Sequence, residues 1–247
     1  MSDELTEVFP KPSRVIVLIA TIPKRKQSCT RLLAELAKQT RPPDGIILVL
    51  DGYGNEPAPA CTLPVILEKR TAELSGAGNR WRTLTELPAE DIVINIDDDT
   101  ILFEAPQFVA KLAETVERDN TAAAPMGRDF DGKAAPPGAW SRGHLMHAAG
   151  CGVAARAGVF AGVVAFADAL KARGGPDALG PGGDDDAIVS AYLWTIKMPI
   201  KHVGVGGNVY TAPGIVSTFK PQKDPDVQKR AISASTGWPW RVFALVR

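Results

Sequence analysis

Residues 15–52 read VIVLIATIPKRKQSCTRLLAELAKQTRPPDGIILVLDG, and this stretch decides the fold class. Val15-Ile16-Val17-Leu18-Ile19 is an unbroken apolar run rich in β-branched residues, the pattern of a strand covered on both faces of a parallel sheet. Cys29, Leu32, Leu33 and Leu36 then recur at i, i+3, i+4 and i+7, which predicts an amphipathic helix ending before Pro42-Pro43. Ile46 to Leu50 repeats the buried-strand pattern. Strand, helix and strand within about 40 residues form a βαβ unit, whose crossover is right-handed in nearly all proteins.

Outward from this unit, Val65 to Leu67 predicts a short third strand and Ile92 to Ile96 a fourth, with a helical segment over about 80–87 between them. An open, mostly parallel α/β sheet flanked by helices follows. Pro106 stands at the first turn of a further helix, whose buried stripe is Phe108, Val109, Leu112 and Val116. Residues 126–149 are rich in Gly, Pro, Asp and Arg without a period, and read as a long surface loop serving a site. A helix over 159–171, a Gly-rich loop over 174–183 and a helical stripe of Ile188, Ala191, Tyr192, Thr195 and Ile196 come next. Late strands are expected over 199–205 and 208–211. The charged, Pro-interrupted stretch from Thr218 to Arg230 reads as a flap or as disorder.

Composition narrows the function classes. A chain of 247 residues with 45% hydrophobic content buries one substantial core, so one domain is expected. Lys+Arg and Asp+Glu balance at 28 each, which leaves no bulk field for nucleic acid. Cys29, Cys61 and Cys151 form no C-x-x-C pair, as expected of a reduced, cytoplasmic protein. The acidic start MSDELTEVFPKPSR is no secretory signal, and Ala157 to Ala167 is about half of the ~20 residues a membrane span needs.

Ligands of open parallel sheets bind at the carboxyl ends of the strands. Those ends carry Thr21-Ile22-Pro23-Lys24-Arg25, Asp51-Gly52 and Asp97-Asp98-Asp99. Three adjacent carboxylates after a buried strand repel one another unless a divalent cation compensates them, and Mg²⁺ or Mn²⁺ takes oxygen ligands. Alternation along an extended segment would put Asp97 and Asp99 on one side and turn Asp98 away. The alternative is a solvated acidic turn before a helix. Asp51-Gly52 is equally a plain turn dipeptide, or places a carboxylate against a base or ribose. Gly76-Ala77-Gly78-Asn79-Arg80-Trp81-Arg82 reads as a flexible loop entering a helix, with Arg80 or Arg82 toward a diphosphate, or as a solvated helix face. Gly182-Gly183-Asp184-Asp185-Asp186 precedes a helix; one Asp suffices as a cap, which leaves others for general-base or metal work. His202 at a strand end is a metal or phosphate ligand or a structural histidine. His144-x-x-His147 lacks the Glu of a zinc-protease helix, and no zinc site is assigned to it. Trp140, Trp238 and Trp240 suit either a sugar platform or packing.

In order and spacing these pieces resemble the family 2 glycosyltransferases and their GT-A relatives. The likeness rests on residues 15–25, on Gln39 to Pro43, on Ile46 to Gly52, on Asp97-Asp98-Asp99 at the place of an Asp-x-Asp, on Gly150-Cys151-Gly152-Val153-Ala154, and on Gly183-Asp184-Asp185 at the place of Gly-Glu-Asp. It covers most of residues 14–205. It implies a GT-A, Rossmann-like fold with a nucleotide-binding half over about 14–99 and an acceptor-binding half and tail over about 100–247. It further implies Mn²⁺- or Mg²⁺-dependent, inverting transfer of a sugar from a nucleoside diphosphate sugar to an acceptor hydroxyl on a glycan, lipid or small molecule. Thr21, Pro23, Arg25 and Asp51 would then line the nucleotide pocket, and the residue reading adds Arg80 and Asp98 as candidate donor contacts. Asp97 and Asp99 would serve the metal, to which the place of His202 at a strand end adds a candidate ligand, and Asp185, with Asp184 as its rival, would be the base. The family's Ala-Arg-Asn is replaced here by Asn79-Arg80-Trp81-Arg82. The rivals are a retaining sugar transferase on the same fold, since metal motifs alone do not fix stereochemistry, a nucleotide- or sugar-binding module without turnover, and a sugar-nucleotide nucleotidyltransferase, whose glycine-rich opening is absent after the first strand.

Overall fold

The computed structural model describes residues 13–128, 144–145, 147–148, 151–211 and 227–237. The βαβ unit forms as expected: β1 (Val15–Thr21), α1 (Lys26–Ala37) and β2 (Gly45–Leu50). β3 (Val65–Arg70) and β4 (Ile92–Asn95) follow, and all four strands are parallel. β1 and β2 are buried along their whole length, as an unbroken apolar run requires, whereas β3 is the exposed edge. The segment between β3 and β4 is a 3-10 helix over Ala77–Glu86. It stops at Leu87, before Pro88.

Beyond β4 the chain forms β5 (Thr100–Phe103), α2 (Phe108–Asp119), β6 (Ala122–Ala124), β7 (Gly127–Arg128), β8 (His144–Leu145), β9 (His147–Ala148) and β10 (Val153–Arg156). It continues through α3 (Ala157–Phe160), α4 (Gly162–Ala172), α5 (Asp185–Thr195), β11 (Ile200–His202), β12 (Asn208–Thr211) and α6 (Val227–Thr236). The main sheet has eight strands in the order β3-β2-β1-β4-β10-β6-β11-β8. β10 and β8 run against the rest. β12 pairs antiparallel with β5, and β7 with β9.

Each face of the sheet carries its own core. Val15, Val17 and Ile19 pack with Leu32, Leu33 and Leu36 of α1 and Phe108, Val109 and Leu112 of α2. Ile16, Leu18 and Val93 pack on the opposite face with Trp81, Phe160 of α3, Ile188 of α5 and Ile232 of α6. A fully buried Leu or Ile contributes about 1.5–3 kcal/mol, so the two layers hold the strand ends firmly.

Two expectations are corrected. Residues 126–149 do not read as loop throughout, because β7, β8 and β9 lie within them. Strands of two residues are too short to carry a period, and the Ala-Ala-Ala of β6 carries no strand signal. The 218–230 stretch is not wholly irregular: α6 begins at Val227, and Ile232 anchors it in the core. Among the described residues no helix is long and apolar enough to cross a membrane.

The glycines of the 76–78 and 180–183 loops let two backbones touch. A Cβ on Gly78 would lie 2.5 Å from Leu179 Cα and 2.7 Å from its carbonyl oxygen. Gly76, at φ +97°, meets the Gly180 carbonyl the same way. We expect Gly78→Ala to destabilise the chain by about 1–3 kcal/mol, the usual cost of overpacking, because backbone cannot yield as a side chain does. Chemical denaturation checks this, and an unchanged midpoint would show that the loops do not need close contact.

Candidate functional site

The carboxyl ends of β1, β2 and β4 open on one cleft of about 960 Å³. This is the crevice expected of an open parallel sheet. Thr21, Pro23 and Arg25 enter it after β1, Asp51 and Gly52 after β2, and Asp97 to Asp99 after β4. Gly180 to Asp186, leading into α5, form the facing wall. The structure thus brings together two acidic clusters that are remote in sequence.

Past β4 the chain turns, and the Thr100 amide donates to the Asp97 carbonyl at 3.1 Å. The turn removes the alternation expected of an extended segment. Asp98 and Asp99 face the same way and share Arg25, whose Nη1 is 2.8 Å from Asp98 Oδ1 and 3.3 Å from Asp99 Oδ2. Asp97 turns instead to Arg80, with Nη1 2.8 Å from its Oδ1. That contact is a charge pair off the N–H direction, since Nη1 completes no hydrogen bond. Burial raises the Asp98 carboxyl above its usual range, against the pull of Arg25. It also pushes Asp97 up to about 6, with Arg80 opposing and Asp185 and Asp99 adding repulsion. Asp186 lines the same cleft and is raised well above the usual range, by burial first and then by the charges of Asp97 and Asp185.

Arg80 does not stand on a solvated face. Its side chain is 1% exposed, and besides meeting Asp97 it donates from Nε at 3.1 Å and from Nη2 at 2.7 Å to Asp185 Oδ2. Trp81 Nε1 donates to the same oxygen at 3.0 Å, and the indole packs edge-on against Phe160 with ring centroids 5.1 Å apart. Burial works against the charge on Arg80, and Asp185 and Asp97 outweigh it, so the guanidinium is held above its usual range. One guanidinium therefore links the two acidic clusters. Arg82 faces away and pairs with Asp168 on α4.

Asp184 is the cap of α5: its Oδ1 accepts from the Ala187 amide at 3.0 Å, while its Oδ2 lies 3.2 Å from Lys229 Nζ. Burial raises its carboxyl, and Lys229 opposes. Of the two rivals for proton transfer, Asp184 is thus tied at both oxygens, whereas the hydrogen bonds to Asp185 fall on Oδ2.

Asp51 lines the cleft, with its carboxylate engaged by its own loop. Oδ1 accepts from Thr71 Oγ1 at 2.9 Å, from the Ser75 amide at 2.8 Å and from the Ser75 hydroxyl, and Oδ2 accepts from the Gly76 amide at 3.0 Å. His202 lies on β11, its Nε2 3.1 Å from the Pro125 carbonyl, and is not among the residues lining the cleft. Burial lowers its imidazole, with the Pro125 bond opposing. Trp140, Trp238 and Trp240, and the side chains of His144 and His147, lie outside the described residues.

Sequence reasoning missed Trp81, Gln228 and Lys229. Gln228 Nε2 donates to the Gly182 carbonyl and its Oε1 accepts from the Asp184 amide, both at 2.9 Å. Nothing local marks these residues, because each meets partners far along the chain.

No protein family matches the chain, and no curated protein matches it. Solved structures do. S. aureus TarS 1–349 in complex with UDP-GlcNAc aligns at a TM-score of 0.60 and 14% identity, over 90% of this chain and 66% of that one. A second TarS 1–349 structure gives 0.53 at 15% identity, over 81% and 60%. A mycobacterial protein gives 0.55 at 15% identity, over 91% and 75%. The chain spans 66% or less of the TarS length. At such identities the likeness is one of fold, and it is the GT-A fold implied by the resemblance.

Proposed function

We propose that this chain is a metal-dependent glycosyltransferase that moves a sugar from a nucleoside diphosphate sugar to an acceptor hydroxyl with inversion. One observation carries the reading: a single cleft at the strand ends gathers Asp97 to Asp99 opposite Asp184 to Asp186. The fold is shared with TarS, which has been seen in complex with UDP-GlcNAc. Residues 14–99 would supply the nucleotide-binding half and 100–247 the acceptor-binding half of one domain.

The charge balance supports a cation. Seven aspartates line the cleft against Lys24, Arg25 and Lys229. An anionic diphosphate does not enter such an excess of carboxylate without compensation. The ligands are oxygens, which suits Mg²⁺ or Mn²⁺. Among the described residues no group of three or more His, Cys, Asp or Glu is gathered as a ready cage. Ions of this kind are commonly held by one or two carboxylates together with substrate phosphates. Asp97 and Asp99 would hold it, without His202, Asp97 by turning from Arg80 and Asp99 by giving up its contact with Arg25. When bound, it neutralises charge developing on the departing diphosphate.

Asp185 would take the acceptor hydroxyl's proton on Oδ1 as the acceptor oxygen forms its bond to the anomeric carbon. The bond from that carbon to the diphosphate breaks, and its electron pair leaves with the nucleoside diphosphate. Arg80 and Trp81 hold Asp185 Oδ2, which orients the carboxylate for that step. Thr21, Pro23, Arg25 and Asp98 form the donor side of the cleft.

The test is a thermal-shift screen of uridine, guanosine, cytidine and thymidine diphosphates with and without Mn²⁺, followed by assay of the matching sugar nucleotides. One nucleotide should raise the melting temperature only with the cation. The rise should shrink as pH falls through about 6, where a proton competes for Asp97. Asp99→Ala should weaken this binding by roughly tenfold or more, since even outer-shell losses act on that scale. Binding with neither transfer nor hydrolysis would make the chain a binding module. Formation of a sugar nucleotide from a sugar phosphate would make it a nucleotidyltransferase.

A further inference from the structure

We propose that α6 is the positioning element of the acidic loop 182–186, and that Gln228 is the residue that places it. The proposal rests on the reading of Asp185 as proton acceptor.

The loop cannot place itself. It follows Gly180-Pro181 and begins with Gly182 and Gly183, and Gly182 is at φ +72°, so its own chain is permissive rather than rigid. One turn bond is its own, from the Gly183 amide to the Gly180 carbonyl at 2.9 Å, but the Gly182 carbonyl and the Asp184 amide need partners from elsewhere. Gln228 supplies both. Its side-chain amide donates to the Gly182 carbonyl and accepts the Asp184 amide, both at 2.9 Å, as a neighbouring strand would. Lys229 adds a charge partner for Asp184 Oδ2 at 3.2 Å. α6 is itself fixed, because Ile232 is fully buried in the core that holds Ile188 and Ala191 of α5.

Asp185 is therefore gripped from two directions. Arg80 and Trp81 hold its carboxylate, and Gln228 holds the main chain of the residue before it. Removing Gln228 leaves the first grip and frees the second. The expected consequence is a carboxylate still buried and held by Arg80 and Trp81, but displaced relative to a bound acceptor. Gln228 is not among the residues lining the cleft, so donor affinity should not depend on it.

The experiment compares the full chain with Gln228→Ala and Lys229→Gln by amide hydrogen exchange, by titration with the nucleoside diphosphate and Mn²⁺, and by turnover of the sugar nucleotide, with water as acceptor where no other is known. Gln228→Ala should speed exchange over 182–187 and leave 92–99 unchanged. Its kcat should fall roughly tenfold to a hundredfold, the scale of an ångström-level misplacement, with donor Kd within about twofold. Lys229→Gln should speed the same exchange to a smaller extent. Unchanged exchange over 182–187 would overturn the clamp. Faster exchange with unchanged kcat, or donor affinity falling in step with kcat, would overturn the positioning role. A wild-type chain that turns over no sugar nucleotide would sink the transferase reading, and with it the role of α6 in proton transfer, even if exchange responds to Gln228→Ala. Should Gln228→Ala fail to fold, normal exchange in a folded Lys229→Gln would count against α6 as the loop's support.

Discussion

Asp185→Asn should lower turnover by about 10²–10⁴-fold, the contribution of a positioned general base, while the Mn²⁺-dependent affinity for nucleoside diphosphate stays close to wild type. The geometry separates the two effects. Asparagine keeps an oxygen to accept from Arg80 and Trp81, so the wall of the cleft survives, but its amide cannot take the acceptor's proton at neutral pH. Asp184→Ala makes the contrasting case. It removes the cap of α5 and the partner of Lys229, and a lost cap costs about 0.5–2 kcal/mol. The expected outcome is a lower melting temperature with a loss of rate smaller than that of Asp185→Asn, because the bond from the residue-184 amide to Gln228 remains. Calorimetry, isothermal titration and a nucleoside diphosphate release assay check both variants. Full activity in Asp185→Asn together with loss in Asp184→Ala would move the base one residue back.

The second large effect is expected at Arg80. Arg80→Ala takes the guanidinium from between Asp97 and Asp185 and leaves Asp185 buried without its charge partner. Breaking a buried pair by removing one partner costs about 3–5 kcal/mol. At roughly 2–4 °C per kcal/mol for a chain of this size, the melting temperature should drop by about 10 °C. Turnover should vanish as well, because both acidic clusters lose their common anchor. Arg80→Lys should fall between: it keeps the charge, but a single ammonium lacks the planar fork that reaches Asp185 with Nε and Nη2 and Asp97 with Nη1. Combining Arg80→Ala with Asp185→Asn should cost less than the two losses added, since the double variant no longer strands a buried charge. A melting temperature within about 2 °C of wild type for Arg80→Ala would show that the pair carries no such weight.

Arg80 also marks where sequence reading stops. The Gly76-Ala77-Gly78 run suggests a flexible loop bringing a guanidinium to phosphate, and its glycines instead let the 76–78 backbone lie against Leu179 and Gly180. The same residues suit both outcomes until the partner segment is known. Asp97 to Asp99 show a milder case. Their place after a buried strand was legible, but the alternation of an extended chain was the wrong rule for a turn, and the turn hands Asp98 and Asp99 to Arg25 and Asp97 to Arg80. α6 was hidden differently, because its few apolar residues follow a Pro-rich, charged stretch and only Ile232 is deeply buried.

By itself the sequence determined the parallel sheet, the helices α1 and α2 that cover one face of it, and the arrival of Asp51 and Asp97 to Asp99 at the strand ends. These follow from local physics: apolar runs and 3.6-residue stripes state which side of an element must be buried, and strand direction states where its end points. Only the tertiary structure decided that Arg80 joins Asp97 to Asp185, that Asp184 is a cap, that Asp51 holds its own loop, and that Gln228 and Lys229 belong to the site. Those assignments depend on which charges and unpaired backbone groups meet in space, as far as 105 residues apart in the chain for Arg80 and Asp185, and a carboxylate's role is set by the donors that reach it rather than by its neighbours in sequence.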